Sequence, residues 1–144
     1  AQRSDGRGRV TGYRYDALKR LTEVTQDLGG TDPSTANATT LYGYDPQDRL
    51  RSVTDPINGN TAYVYDDLGN LVSQTSPDTG TTAFSYDEAG NLMQKIDANG
   101  QRLSYRYDAL NRLISIDAPG SDDDVSYTYD DCLNGSGRLV ASPR

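Results

Sequence analysis

The side chains that could do chemistry in this 144-residue sequence are 21 Asp and Glu residues, 11 Tyr residues and one Cys. The sequence contains no His, which excludes His-based catalytic triads and metal sites built on imidazole. A nucleophilic Cys132 would lack the His base that normally activates it. We therefore interpret Cys132 as a small residue in a long turn, with an intermolecular disulfide as the alternative.

The carboxylates could act as a general acid and base pair, or as calcium ligands. Six Asp residues, however, directly follow a Tyr in one recurring pattern, and catalytic groups do not normally recur once per repeat. This setting favours a role in turns, where an Asp side chain accepts bonds from backbone amides. Asp122-Asp123-Asp124 lacks the ligand loop of an EF-hand and is interpreted as a solvated acidic loop. The sequence predicts no catalytic, cofactor or metal site, and we do not expect an enzyme.

The recurring pattern is nine residues long and reads aromatic-x-Tyr-Asp-x-x-Gly-Asn/Arg-Leu, as in Tyr63 to Leu71. Copies start at residues 13, 42, 63, 84, 105 and 127, the last with a lengthened turn, so the steps are 29, 21, 21, 21 and 22 residues. Every aromatic residue occupies position one or three. The predicted structural motif residues are Tyr13, Tyr15, Asp16, Tyr42, Tyr44, Asp45, Tyr63, Tyr65, Asp66, Gly69, Phe84, Tyr86, Asp87, Gly90, Tyr105, Tyr107, Asp108, Tyr127, Tyr129 and Asp130.

Each copy is typical of a β-hairpin. The two aromatic residues lie two apart and so point to one face of a strand, the Asp-x-x-Gly tetrad suits a tight turn, and Gly fits a position where a positive φ is often needed. Short spacers such as 97–100 supply a second turn per repeat. We expect an all-β fold, an antiparallel meander of hairpins forming a curved ribbon, with a bulge or two partly covered faces where alternation fails at 113–116.

The repeats divide the chain into a remnant of a preceding repeat at 1–12 and six repeats at 13–144. A single repeat of this size cannot bury its own apolar face, so we expect stability to come from stacking neighbouring hairpins into one sheet. The open edges of such a sheet favour self-association. The predicted repeat boundaries are 13–41, 42–62, 63–83, 84–104, 105–126 and 127–144.

Composition excludes some partners. The formal net charge of −7 argues against nucleic-acid binding, which depends on basic side chains, and no stretch approaches the roughly 20 apolar residues that span a bilayer. We expect no nucleic-acid partner and no membrane insertion. Asn37 and Asn134 fit the glycosylation pattern Asn-x-Ser/Thr, which turn composition also explains.

The nine-residue motif at a 21-residue period resembles the YD repeat of the Rhs family, which includes bacterial polymorphic toxins, components of insecticidal toxin complexes and teneurins. The variant Tyr129-Asp-Asp-Cys-Leu-Asn-Gly-Ser-Gly-Arg-Leu139 resembles a variant copy in that family. The resemblance implies a β-sheet ribbon that spirals into a hollow shell, secreted or at the cell surface, often around a C-terminal toxin domain. Six hairpins are too few to close such a shell.

Our first hypothesis is therefore a non-catalytic segment of a shell, with neighbouring repeats of a larger parent chain and an enclosed toxin or other polypeptide as partners. The alternative is an extracellular module that binds carbohydrate or a cell-surface receptor, because aligned Tyr rings can stack on sugars. We favour a structural role for the Tyr residues, since cross-strand aromatic pairs stabilise a sheet and this one has few other apolar residues.

Overall fold

The computed structural model describes residues 1–6, 8–31, 37–57, 59–120, 124–129 and 139–141. No helix occurs among these residues, which confirms the all-β prediction. The described residues form fourteen strands: β1 Gln2–Ser4, β2 Val10–Tyr15, β3 Leu21–Gln26, β4 Ala38–Tyr44, β5 Leu50–Thr54, β6 Asn60–Tyr65, β7 Leu71–Ser76, β8 Gly80–Tyr86, β9 Leu92–Ile96, β10 Arg102–Tyr107, β11 Leu113–Asp117, β12 Val125–Ser126, β13 Thr128–Tyr129 and β14 Leu139–Ala141.

Strands β1 to β12 are neighbours in chain order in one open antiparallel sheet, and β13 pairs with β14 in a separate two-stranded sheet. The predicted meander is therefore confirmed. Contacts between Cα atoms divide the chain into two units: Ala1–Val64 with Thr75–Asp78, and Tyr65–Gln74 with Thr79–Arg144.

In the first unit, each complete motif hairpin pairs position three of the motif with its Leu. Tyr15 lies opposite Leu21, whereas Arg14 lies opposite Glu23, so Thr22 is an extra residue on its strand. The same shift occurs in the hairpin of β4 and β5. A residue inserted in this way is a β-bulge, which interrupts the alternation of faces along the strand.

In the second unit, the bulge recurs at the same place in the motif. Tyr107 lies opposite Leu113 and Arg106 opposite Ser115, which leaves Ile114 as the extra residue. Of the two alternatives predicted for 113–116, the bulge is present, and every residue of β11 is half-buried, so both faces are partly covered as well. In the last copy Tyr129 lies opposite Leu139, so position three is paired with the motif Leu there as well.

The predicted remnant at 1–12 contributes one short strand, β1, and the first residues of β2. β1 pairs with β2 through Gln2 opposite Gly12 and Ser4 opposite Val10. Because β2 continues to Tyr15, one strand serves both the remnant turn and the first complete motif. The remnant is thus regularly paired.

Burial in the sheet is shallow. Among the described residues no apolar side chain is buried, and Thr25, at 8% exposed, is the only buried polar residue. Tyr63 and Tyr65 are half-buried while Val64 between them is 54% exposed, as the period of two requires. Tyr15 departs from this pattern at 52% exposed. Across the described part of the sheet, the side chains of neighbouring strands therefore cover one another only partly.

Candidate functional site

The motif Asp organises the turn that follows it. Asp66 Oδ1 accepts hydrogen bonds from the amides of Leu68 at 3.0 Å and Asn70 at 2.8 Å. The Gly69 amide donates to the Asp66 carbonyl, and the Asp66 amide donates to the Asn70 carbonyl. These bonds, with a positive φ at Gly69, are typical of a three-residue hairpin loop that ends in a left-handed residue. Turns at 66–69, 87–90 and 108–111 are confirmed, and Asp16, Asp45, Asp87 and Asp108 accept the equivalent amide pairs.

Position seven takes a positive φ in five copies, whichever residue it carries. Gly69 has φ 90° and Gly90 has φ 82°, where Gly has no steric cost. Lys19, Asp48 and Asn111 have φ of 65°, 64° and 59° at the same position. Asn and Asp tolerate this region better than other non-glycine residues. The backbone conformation at position seven is therefore the same in these copies although the residue type differs.

Position eight closes the turn with its side chain. Asn70 Nδ2 donates to Asp66 Oδ2 at 3.0 Å, and where the motif carries Arg, Arg112 Nε donates to Asp108 Oδ2 at 2.6 Å. Asp45, whose side chain is 13% exposed, holds Arg49 in the same way. Both carboxylate oxygens of the motif Asp are therefore engaged within the turn.

These bonds favour the ionised carboxylate and lower its pKa. The side-chain hydrogen bond from Asn70 is the largest cause of the lowered pKa of Asp66, and the Arg112 amide is the largest cause for Asp108. At Asp45, burial is the largest single effect and opposes the lowering, but the donors on Arg49 and Gln47 outweigh it together. A lowered pKa of this kind keeps the carboxylate charged and unsuited to general acid catalysis.

In four copies of the motif, the Tyr at position three joins its repeat to the one before it. Tyr86 Oη donates to the carbonyl of Leu71 at 3.0 Å, and Tyr107 Oη donates to the carbonyl of Leu92 at 3.1 Å. Tyr44 and Tyr129 make the equivalent bonds to the motif Leu residues Leu21 and Leu113. We call the place where a position-three Tyr meets the preceding motif Leu a repeat junction.

The backbone ladder leaves room for these tyrosines. Between β9 and β10 the paired residues run from Ile96 opposite Arg102 only to Gln94 opposite Ser104. The Leu92 carbonyl thus lies beyond the last backbone pair, and the Tyr107 hydroxyl supplies its donor. Burial raises the pKa of Tyr107, with the neighbouring Tyr105 and Asp87 adding to the effect, which keeps the phenol neutral and able to donate.

Arg at position eight also covers the ring of the next repeat's Tyr. The guanidinium carbon of Arg20 lies 4.9 Å from the ring centre of Tyr44, and that of Arg112 lies 4.5 Å from Tyr129. Both distances fall within the range of cation–π attraction. These contacts add to the junction hydrogen bonds of the same two tyrosines.

Other residues singled out in the sequence take no part in this arrangement. Asn37 accepts a hydrogen bond from the Gly29 amide within a loop, and Asp124 accepts one from the Ala118 amide. No group of three or more His, Cys, Asp or Glu suited to a metal occurs among the described residues, and no helix in that part of the chain is long and apolar enough to cross a membrane. Predictions for Asp122, Asp123, Asp130, Cys132 and Asn134 fall outside the described residues.

Sequence reasoning missed two features. The turns between hairpins were predicted, but not that Asp55 and Asp97 accept the same pair of amide bonds at Oδ1 as the motif Asp residues. The Asp-x-x-Gly tetrad at 97–100 was the available signal. The junction bond of the position-three hydroxyl was also missed. Its signal was that position three is Tyr in all six copies, whereas position one is Phe84 in one of them.

Solved structures share this fold at low identity. The crystal structure of TcdB2-TccC3 without its hypervariable C-terminal region matches with a TM-score of 0.70 and 20% identity, over 91% of this chain and 7% of that chain. The TcdB2-TccC3-Cdc42 structure matches with a TM-score of 0.59 and 17% identity, over 96% of this chain and 9% of that one. A Photorhabdus luminescens Tc holotoxin pore matches with a TM-score of 0.55 and 15% identity, over 89% and 9% of the two chains.

The chain therefore spans less than a tenth of the length of these proteins. No curated protein sequence matches it. The RHS Repeat family matches residues 1–32, 44–82, 65–102 and 86–123, which together cover more than half of the chain. Each matched stretch contains the Asp turns whose bonds are described above, and the chain belongs to the RHS Repeat family.

Proposed function

We propose that this chain is a non-catalytic segment of the wall of a secreted RHS-repeat shell, which encloses a toxin or another polypeptide. Its partners are neighbouring repeats of a larger parent chain and the enclosed polypeptide. The repeats run from 13 to 144 with the boundaries predicted from the sequence, after the remnant at 1–12. The similar structures support the fold of this chain but not its role, since they are much longer proteins.

The observation that carries the proposal is that the polar side chains of the motif form their hydrogen bonds within the sheet itself. The hydroxyl of Tyr86 is bonded to a backbone carbonyl, and both carboxylate oxygens of Asp66 are bonded within its turn. A group engaged in this way is less available to a substrate or a sugar. A continuous wall needs such bonds once per repeat, which is how they occur.

The test disrupts one hairpin in the full-length protein that carries this segment. Asp66→Pro removes the amide that donates to the Asn70 carbonyl as well as the capping carboxylate, and Gly69→Val places a β-branched residue at φ 90°. The matched control is Gly69→Asn, because Asn tolerates a positive φ. A protease added from outside should digest the enclosed polypeptide in the double variant and spare it in the unchanged protein and the control.

Two outcomes would contradict enclosure. Equal protection in the double variant and the control would mean that this wall does not shield the cargo, and equal digestion in the unchanged protein would mean that nothing is enclosed. Either result would favour the alternative function, an extracellular module that binds carbohydrate or a receptor.

A further inference from the structure

Two repeat junctions in the second unit have the same hydrogen-bonding side chains except at motif position seven. At the first, Tyr86 bonds to Leu71, and Asn70 bonds to Asp66. At the second, Tyr107 bonds to Leu92 at 3.1 Å, and Asn91 bonds to Asp87 at 2.9 Å. Both junctions therefore have the same Tyr donor, the same Leu acceptor and the same Asn at position eight.

The second junction has one more contact between repeats. Asn91 Nδ2 also donates to Oδ1 of Asn111 at 2.9 Å, across 20 residues of sequence. Asn111 is residue seven of the next motif and has φ 59°, so the left-handed backbone of the turn carries its side chain. The equivalent residue at the first junction is Gly90, which has no side chain to accept a bond from Asn70.

The first unit shows that this contact follows motif position and not sequence distance. Arg20, at position eight, donates from Nη1 to Oδ1 of Asp48 at 2.6 Å. Asp48 is residue seven of the next motif, and the two residues are 28 apart because the first repeat is longer. Two different donors and two different acceptors thus meet through the same pair of positions.

We propose that residue seven of the motif determines how strongly neighbouring repeats are bonded to each other at the ends of their strands where the Asp turns lie. Asp or Asn at this position adds a side-chain hydrogen bond to position eight of the preceding repeat, and Gly has no side chain that could accept one. The array then has a weaker junction between Asn70 and Gly90 than between Asn91 and Asn111.

The substitution Gly90→Asn should convert the weaker junction into the stronger kind. A Cβ at Gly90 meets no atom within 4 Å, and Asn tolerates the positive φ of 82° found there. The direct measurement is hydrogen exchange of the side-chain amides of Asn70 and Asn91 by NMR. In the unchanged protein the Asn91 amide should exchange about two- to ten-fold more slowly than the Asn70 amide, as one additional hydrogen bond predicts.

Gly90→Asn should slow exchange at Asn70 towards the rate at Asn91, and the reciprocal Asn111→Gly should speed exchange at Asn91 towards the rate at Asn70. Asn is more strained than Gly at the φ of 82° found at Gly90, so the urea midpoint is compared in two backgrounds. Gly90→Asn should change the midpoint more favourably when Asn70 is present than together with Asn70→Ala, and this difference isolates the pair. Equal exchange rates at Asn70 and Asn91 in the unchanged protein would overturn the proposal. So would an effect of Gly90→Asn on the midpoint that is the same in both backgrounds.

Discussion

Replacing Tyr86 by Phe removes the hydroxyl that joins two repeats and keeps the ring. The lost bond is the one from Tyr86 Oη to the Leu71 carbonyl at 3.0 Å. An intramolecular hydrogen bond contributes about 0.5–1.5 kcal/mol net. Because Tyr86 and Leu71 are only half-buried, water can replace the donor, so we expect a loss of about 1 kcal/mol and no further penalty for an unpaired carbonyl.

Removing the equivalent hydroxyl at the second junction should double the loss of stability. Tyr107→Phe removes an equivalent bond to Leu92 at 3.1 Å, and the two hydroxyls have different acceptors, so the double variant should lose about 2 kcal/mol. Urea denaturation followed by circular dichroism should show the midpoint falling in two similar steps. The matched control is Tyr105→Phe at position one, where another copy carries Phe84 naturally. An unchanged midpoint in the double variant, or an equal loss in the control, would refute the assignment of the hydroxyl to the junction.

Three further predictions concern pH and association. Burial raises the folded-state pKa of Tyr86 and Tyr107 above 10.0. The contribution of these two residues to stability should therefore be complete below pH 10 and be lost as the pH rises through the folded-state pKa. The variant with Phe at both positions should show a smaller fall of the urea midpoint at alkaline pH. Asp66 and Asp87 have a folded-state pKa below 3.8. Their contribution to stability should be present above pH 3.8 and disappear as the pH falls through the folded-state pKa. A urea midpoint that stays constant from pH 5 to 2 would contradict this. The open sheet should self-associate through its edges, whereas light scattering that gives a monomer mass at every concentration would show that the edges are blocked.

The regular part of the fold could be predicted because its signals are local. The Asp-x-x-Gly tetrad determines where a turn forms, and the spacing of two between Tyr63 and Tyr65 determines which face they share. The contacts between repeats were harder to predict, since they join residues 15 to 28 apart whose partners include a backbone carbonyl. No side chain in the sequence marks the Leu71 carbonyl as an acceptor, and Asn91 looks the same as Asn70 until the residue facing each is known.

The shallow burial of the sheet has a thermal consequence. The heat capacity of unfolding comes mainly from apolar surface that becomes hydrated, and ordinary globular proteins give about 12–15 cal/mol/K per residue. Among the described residues the apolar side chains of the strands are at most half-buried, so this chain should lie at or below the low end of that range. Its free energy of unfolding should therefore curve little with temperature, so that the sheet weakens gradually on heating and gains no sharp stability maximum on cooling.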